Sequence, residues 1–385
     1  MIVYCEPQCY GFEHAEVNAS LLQAAAIAFP EEKMVLMAEP GHLASVRDSI
    51  DAGLRDRIEF VNLMIAPRRG ANIKRFVKEF GPYQKVLSYA KEKNANKLMF
   101  LSITSPGLIW LKWFLHFHKN VRAVAVLHGM LETIDDWSAV IQYELFFWLR
   151  FTLLIGNRDR IKYLLLGAFI KKNLDQRHPS LSPFTRSMDL PYRFFDVPSR
   201  EPFEGKVIRF GALGVGSRSK GTDVYFELPA KLALKRTSFK PDFFLVGPVT
   251  DLSLSVPASI KVLSPHGRPL TMQEYHEGSM LIDYAVFCHR PSNYRYTMSA
   301  AFFDALAYGK PVIALRNPMF EYYFDLLGEI GYLCNSDGEM IDLISKILSS
   351  PSTEEYKKQQ SRILDGRRKL GIAHSADQIK EIWKK

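Results

Sequence analysis

Short apolar runs alternate with longer segments of helical period along most of the 385 residues, and that alternation leaves few architectures open. In residues 1–195 the strand candidates are Ile2 to Cys5, Met34 to Ala38, Ile58 to Leu63, Lys97 to Ile103, Arg122 to Leu127 and Phe151 to Ile155. Helical patterns lie between them at Val17 to Phe29, His42 to Ala52, Arg75 to Lys93 and Leu108 to His118. Strand, helix, strand in succession predicts a parallel sheet covered by helices on both faces, with ligands at the carboxyl ends of its strands. The Pro-rich passage from His178 to Pro202 breaks the pattern and marks a boundary. A second alternating domain, 203–373, follows, so the expected class is α/β with two doubly wound parallel-sheet domains.

Composition excludes several function classes. With 47% hydrophobic and 24% charged residues the chain reads as an ordinary globular one, not a disordered one. The opening MIVYCEP is a strand with no secretion signal before it, and the most apolar run, Leu145 to Ile155, is far too short to span a bilayer. A cytoplasmic location is therefore expected. Cys5, Cys9, Cys288 and Cys334 show no metal-ligand spacing and fit free thiols. The net charge of +9 is concentrated: from Arg68 to Arg122 twelve Lys/Arg stand against Glu79 and Glu92. In that region Trp110, Trp113, Phe114 and Phe117 share one helical face, which suits either core packing or an interfacial helix on an anionic membrane surface. No motif for nucleic-acid recognition accompanies the charge.

Two stretches carry candidate chemistry in the second domain. Between a strand and a helix lies Gly214-Val215-Gly216-Ser217-Arg218-Ser219-Lys220-Gly221. Glycines such as Gly216 let a backbone approach an anion, and Arg218 and Lys220 supply charge; the order is not that of a P-loop. Further on, Tyr296-Thr297-Met298-Ser299 leads into an apolar helix carrying Asp304, which ends at Gly309 before Lys310-Pro311 and the strand Val312 to Leu315. Thr297 or Ser299 can cap that helix, whose start suits a phosphate, and Asp304 needs a hydrogen-bonding partner from elsewhere. Asp304 either bonds a neighbouring loop inside a core helix or receives the hydroxyls of a sugar nucleotide. In the first domain Gly11-Phe12-Glu13-His14 and Leu127-His128-Gly129 each follow a strand, which puts a histidine at the carboxyl edge of the sheet.

The run Asp304-Ala305-Leu306-Ala307-Tyr308-Gly309-Lys310-Pro311-Val312 resembles the donor-site signature of GT-B glycosyltransferases of the family-4 type, with Asp304 for the second acid and Tyr296 where the first belongs. Lys220-Gly221 is similar to the loop that opens the donor domain in that family, over about residues 205–335 in all. The resemblance implies two Rossmann-like domains facing a cleft and a C-terminal helix, about 374–385, crossing back to the first. It further implies a nucleoside-diphosphate sugar donor, UDP- or GDP-linked, and no metal. Arg218 and Lys220 would hold the diphosphate, Asp304 the ribose, and His266 and Gly267 the base, with Gly216 and the run Tyr296, Thr297, Met298 and Ser299 also lining the donor. His128 would meet the sugar or its phosphate; Gly11, Glu13 and His14 fall on the acceptor side. The implied reaction is glycosyl transfer to a glycan or lipid-linked acceptor at the cytoplasmic membrane surface, in surface-polysaccharide assembly. A nucleotide- or glycan-binding protein without transfer, and a sugar-nucleotide epimerase, are the alternatives.

Overall fold

The computed structural model describes residues 1–67, 72–135, 147–156, 160–198, 201–264, 267–290 and 294–384. Arg68, Arg69 and His266 lie outside the described residues. The chain divides into two compact units: Met1–Arg193 with Tyr296–Met298 and Leu370–Lys385, and Phe194–Arg295 with Ser299–Lys369.

The first unit runs β1 (Ile2–Cys5), α1 (Ala15–Ala28), β2 (Met34–Ala38), α2 (Pro40–Ser49), α3 (Ala52–Arg55), β3 (Ile58–Asn62), α4 (Asn72–Glu92), β4 (Lys97–Phe100), α5 (Ser105–Phe117), β5 (Arg122–Val126), α6 (Leu149–Leu154), β6 (Ile161–Leu166), α7 (Ala168–Arg177) and β7 (Thr185–Met188). Its seven strands pair in parallel in the order β3-β2-β1-β4-β5-β6-β7. β1 is buried along its whole length, as a strand covered on both faces must be. In the second unit come β8 (Val207–Leu213), α8 (Thr222–Leu232), β9 (Lys240–Val246), β10 (Ile260–Val262), α9 (Met272–Leu281), β11 (Tyr284–Phe287), α10 (Ala300–Ala307), β12 (Val312–Leu315), α11 (Pro318–Leu327), β13 (Gly331–Cys334), α12 (Asp337–Ser349) and α13 (Thr353–Gly366). The order of this parallel sheet is β10-β9-β8-β11-β12-β13. The last helix, α14 (Ile372–Trp383), belongs to the first unit and packs on α1, with Ile379 and Ile382 buried.

Both orders reverse once, between β1 and β4 and between β8 and β11. In an open α/β sheet such a switch point leaves a crevice outside the strand ends, where two loops part in opposite directions. The loops after β1, β8 and β11 are therefore the places to look for a site.

Two sequence readings change. Phe151 to Ile155, expected as a strand, is helical as far as Leu154, within α6, with Leu149, Thr152 and Leu153 buried at i, i+3, i+4 spacing, and the strand is Ile161–Leu166 instead. A short continuous apolar run carries no period to separate the two. The Pro-rich passage also contains a structured strand, β7, between Pro183 and Pro191. Of the four aromatics on α5, Phe114 is buried while Trp113 and Phe117 are 48% and 63% exposed. No helix among the described residues is long and apolar enough to cross a membrane.

Candidate functional site

Glycine geometry shapes the loop after β8. Gly214 and Gly221 adopt left-handed φ values of 81° and 71°, a region open to glycine at little cost. At Gly221 a Cβ atom would lie 1.9 Å from the Cys288 carbonyl oxygen, so no side chain fits. Gly216 donates its N–H to the Pro248 carbonyl (2.8 Å), which ties this loop to the one after β9. The Ser217 N–H meets the Thr222 hydroxyl at 2.9 Å, fixing the turn into α8.

Lys220 and Asp304 are the charged pair of this site. The Lys220 side chain is half-buried, with Nζ 3.8 Å from a Cβ built on Gly214. Burial holds its pKa below the ordinary lysine range, and the Asp304 carboxylate opposes that shift. Asp304 finds the partner that its position demands: the Tyr275 hydroxyl of α9 donates to Oδ2 at 2.7 Å. Burial and the Asp304 charge push Tyr308 up to about 12.

His289, at the carboxyl end of β11, joins the pieces. It is 4% exposed, and its ring lies at 3.1 Å through Nδ1 from the Lys220 carbonyl and at 3.2 Å through Nε2 from Ser299 Oγ. A carbonyl only accepts, so Nδ1 carries the proton and Nε2 accepts from the serine hydroxyl. Burial chiefly, with the Lys220 charge, drives the His289 pKa down to about 3, which keeps the ring neutral in this role. Tyr294 stacks on the ring at 4.1 Å, and Asn317 donates to the His289 carbonyl at 3.2 Å while accepting from the Met319 and Phe320 N–H groups. Ser299 stands at the cap position of α10 but makes no side-chain cap bond there, because its hydroxyl is turned to His289. The first turn of α10 thus presents backbone N–H groups with no side-chain cap.

Other expected donor residues are placed differently. Arg218 is exposed and turned outward: Nε donates to Ser253 Oγ at 2.9 Å and its backbone N–H to Asp251 at 3.2 Å. Gly267 has a left-handed φ of 70° in a loop where Arg268 is paired with Glu274. Tyr296, Thr297 and Met298 fall in the first unit. There the Glu132 carboxylate accepts from the Tyr296 N–H (2.8 Å) and the Thr297 hydroxyl (2.9 Å), and Met298 packs on Gly167.

The first unit brings its two candidate histidines together. His14, left-handed at φ 53°, precedes α1 at the cap position without a side-chain cap bond, and its ring meets that of His128 edge to face, centroids 4.4 Å apart. Desolvation first, and then His14, lower the His128 pKa to about 3. Beneath them is a buried polar network that composition gives no sign of. Glu6, 1% exposed, accepts from the Gln8 and Cys9 N–H groups, from Ser102 Oγ and from Asn18 Nδ2. Asn18 also meets His42 Nε2 at 2.9 Å, and His42 Nδ1 donates to the Gly11 carbonyl at 2.9 Å. This chain of bonds holds the Gly11–His14 turn. Among the described residues no cluster of His, Cys, Asp or Glu has the make-up of a metal site.

No protein-family model matches the chain, and no curated protein matches it in sequence. Solved structures do match along its whole length. HepE of Anabaena in complex with UDP and glucose is 14% identical, with a TM-score of 0.66 over 99% of each chain. WaaG, a glycosyltransferase involved in lipopolysaccharide biosynthesis, is 12% identical with a TM-score of 0.61 over 99% of each chain. OtsA in its apo form is 9% identical, with a TM-score of 0.65 over 100% of this chain and 99% of the other. With two all-parallel sheets whose strand orders each reverse once, and with these neighbours, the chain has the GT-B fold.

Proposed function

We propose that the chain is a glycosyltransferase that takes a sugar from a nucleoside-diphosphate sugar. The observation that carries this reading is the assembly, at the switch point between β8 and β11, of the Lys220 ammonium, the uncapped start of α10 and the Asp304 carboxylate, with His289 tying the Lys220 backbone to Ser299 and Tyr275 holding Asp304. Lys220 and the α10 N–H groups take the diphosphate, Asp304 takes ribose hydroxyls, and the backbone near Gly216 and Gly267 approaches the phosphate and base. As the bond from the anomeric carbon to the phosphate oxygen breaks, charge gathers on the departing diphosphate, and fixed donors there lower the barrier. A bond to the acceptor oxygen forms, and the acceptor's proton leaves to solvent. Arg218, already bonded to Ser253 and Asp251, braces the loop; Lys220 is the principal cation. His128, neutral at physiological pH, is a hydrogen-bonding group for the sugar or its phosphate, and Gly11, Glu13 and His14 serve the acceptor. The complexes of HepE with UDP and with UDP-glucose support UDP as the first nucleotide to try.

The acceptor in this reading is a glycan or lipid-linked molecule at the inner face of a membrane, in surface-polysaccharide assembly. Support comes from α4 and α5. Exposed Ile73, Val77, Trp113 and Phe117 stand beside half-buried Trp110, which stacks on Phe76 at 4.2 Å, and Lys74 and Lys78 flank them. Apolar groups ringed by cations suit an anionic lipid surface.

The test is turnover of UDP-glucose and GDP-mannose with membrane extracts as acceptor. Acceptor-dependent release of free nucleoside diphosphate is expected. Saturable binding without release would favour a non-catalytic binding protein, and an epimerised sugar nucleotide formed without acceptor would favour an epimerase.

A further inference from the structure

Strand register sets a row of cations on one face of the first sheet. β4 pairs with β5 so that Lys97 faces Arg122, β5 with β6 so that Val124 faces Lys162, and β6 with β7 so that Leu164 faces Arg186. Side chains alternate between faces along a strand, so Arg122 shares a face with Val124 and Lys162 with Leu164. Lys97, Arg122, Lys162 and Arg186 therefore stand on the same face of four neighbouring strands, near their amino ends. Lys97, Lys119, Arg122, Arg160 and Lys162, with Trp383 of α14, line a cavity of about 640 Å³ that no carboxylate among the described residues lines.

Among the described residues most of this charge has no counter-charge. Lys97 pairs with Glu32 at 2.7 Å. Arg160 donates to the carbonyls of Leu115 and His118, Lys162 to those of Ile382 and Lys384, and Arg186 to those of Pro183 and Thr185, all neutral partners. Lys119 and Arg122 are exposed, and their side chains have no hydrogen-bond or ion-pair partner among the described residues. Asp159, next to Arg160 in sequence, lies outside them. The crowding is felt at Lys162, whose pKa burial first, and then Arg186 and Arg122, hold below the ordinary range. The Trp383 indole N–H is buried without an acceptor. A concave surface of one sign concentrates counter-ions more than a flat one does.

We propose that this cavity binds a multiply charged, phosphate-bearing small molecule of the oligophosphate class, held by Arg122, Arg160 and Lys162 with Lys119 at the rim. The site lies at the amino end of β5, one strand length (about 16 Å for five residues) from the His128 end. It is independent of the glycosyl-transfer reading, since no residue is shared with it. A bound anion bridging these cations would also fasten the end of α14, which Lys162 already holds by two carbonyls.

The experiment is calorimetric titration of inorganic tripolyphosphate, at fixed ionic strength, into the parent chain, Lys220→Ala, and the double variant Lys119→Gln/Arg122→Gln. Both changed residues of the double variant are exposed and unpartnered, so its ligand-free melting temperature should equal the parent's. The parent and Lys220→Ala should share a saturable site that the double variant binds at least ten-fold more weakly. Undiminished binding by the double variant at every site, or loss of all binding in Lys220→Ala, would overturn the proposal. If the double variant melts early, Lys119→Gln alone replaces it and should weaken binding several-fold; no change would count equally against the site. ATP titrated in parallel names the source, with tighter binding than tripolyphosphate assigning a nucleotide and equal binding a free oligophosphate.

Discussion

Gly221 admits no side chain, and its substitution tests how the donor loop is built. A residue with a Cβ there must hold a φ of 71° and place that atom 1.9 Å from the Cys288 carbonyl oxygen. The left-handed conformation alone costs about 1–2 kcal/mol. Gly221→Ala should therefore lower thermal stability by at least about 2 kcal/mol and abolish nucleoside-diphosphate binding; a variant that melts and binds as the parent does would refute the loop's packing. His289 gives a prediction in pH. Its ring is neutral when folded, with a pKa of about 3 against an ordinary 6.5. Below 6.5 the unfolded chain takes up a proton that the folded site refuses, so the stability present above that value is lost as pH falls toward 3. Melting curves of the parent and of His289→Gln, which keeps a donor and an acceptor, should converge between pH 7 and pH 5, with the parent losing more. Parallel curves would mean that the ring does not titrate as described. Asp304 was legible as a residue in need of a distant partner, because a carboxylate inside an apolar helix is costly, and Tyr275 is such a partner. His289 was not, because its partners lie 69 and 10 positions away and nothing beside it in sequence marks it. For the same reason the Glu6–Asn18–His42 network was invisible.

At the scale of elements, the exposed apolar side chains of α4 and α5 carry the membrane reading. Ile73 and Val77 of α4 are 56% and 68% exposed, an unusual place for two β-branched residues on a helix with lysines beside them. The cations to remove are Lys74 and Lys78. Arg75 must stay, because it pairs at 3.1 Å with buried Glu79, which also accepts from Thr104. Lys74→Glu/Lys78→Glu should weaken co-sedimentation with anionic vesicles by about thirty-fold or more, on the order of 1 kcal/mol for each lysine charge removed, with the added carboxylates repelling the surface further. Val77→Asp should weaken it further at high salt, where the electrostatic part is screened. Equal binding to neutral and anionic vesicles would contradict the electrostatic part. Periodicity made most of these elements readable in advance: β1, β2 and β12 have the bounds that their apolar runs suggest. It failed over α6, where a continuous apolar run carries no period to separate helix from strand, and at β6, where Lys162 interrupts the apolar pattern of the strand at its second position.

For the whole molecule, alternation of apolar runs and helical segments is enough to announce parallel sheets, but not their strand order. The reversals at β1/β4 and β8/β11 arise from the direction in which each crossover turns, and no residue encodes that locally. Yet these reversals decide where a ligand can lie, which is why the loop of Lys220 could be recognised by its composition while its union with His289 and the start of α10 could not. The central claim is that this union is a nucleoside-diphosphate site. Calorimetric titration of UDP and GDP into the parent and into Lys220→Ala tests it most directly, in proteins whose ligand-free melting temperatures agree. Loss of one charge-assisted hydrogen bond is worth about 1.5–3 kcal/mol, so the variant should bind at least ten-fold more weakly. Equal affinity of the two proteins for the nucleotide would contradict the account.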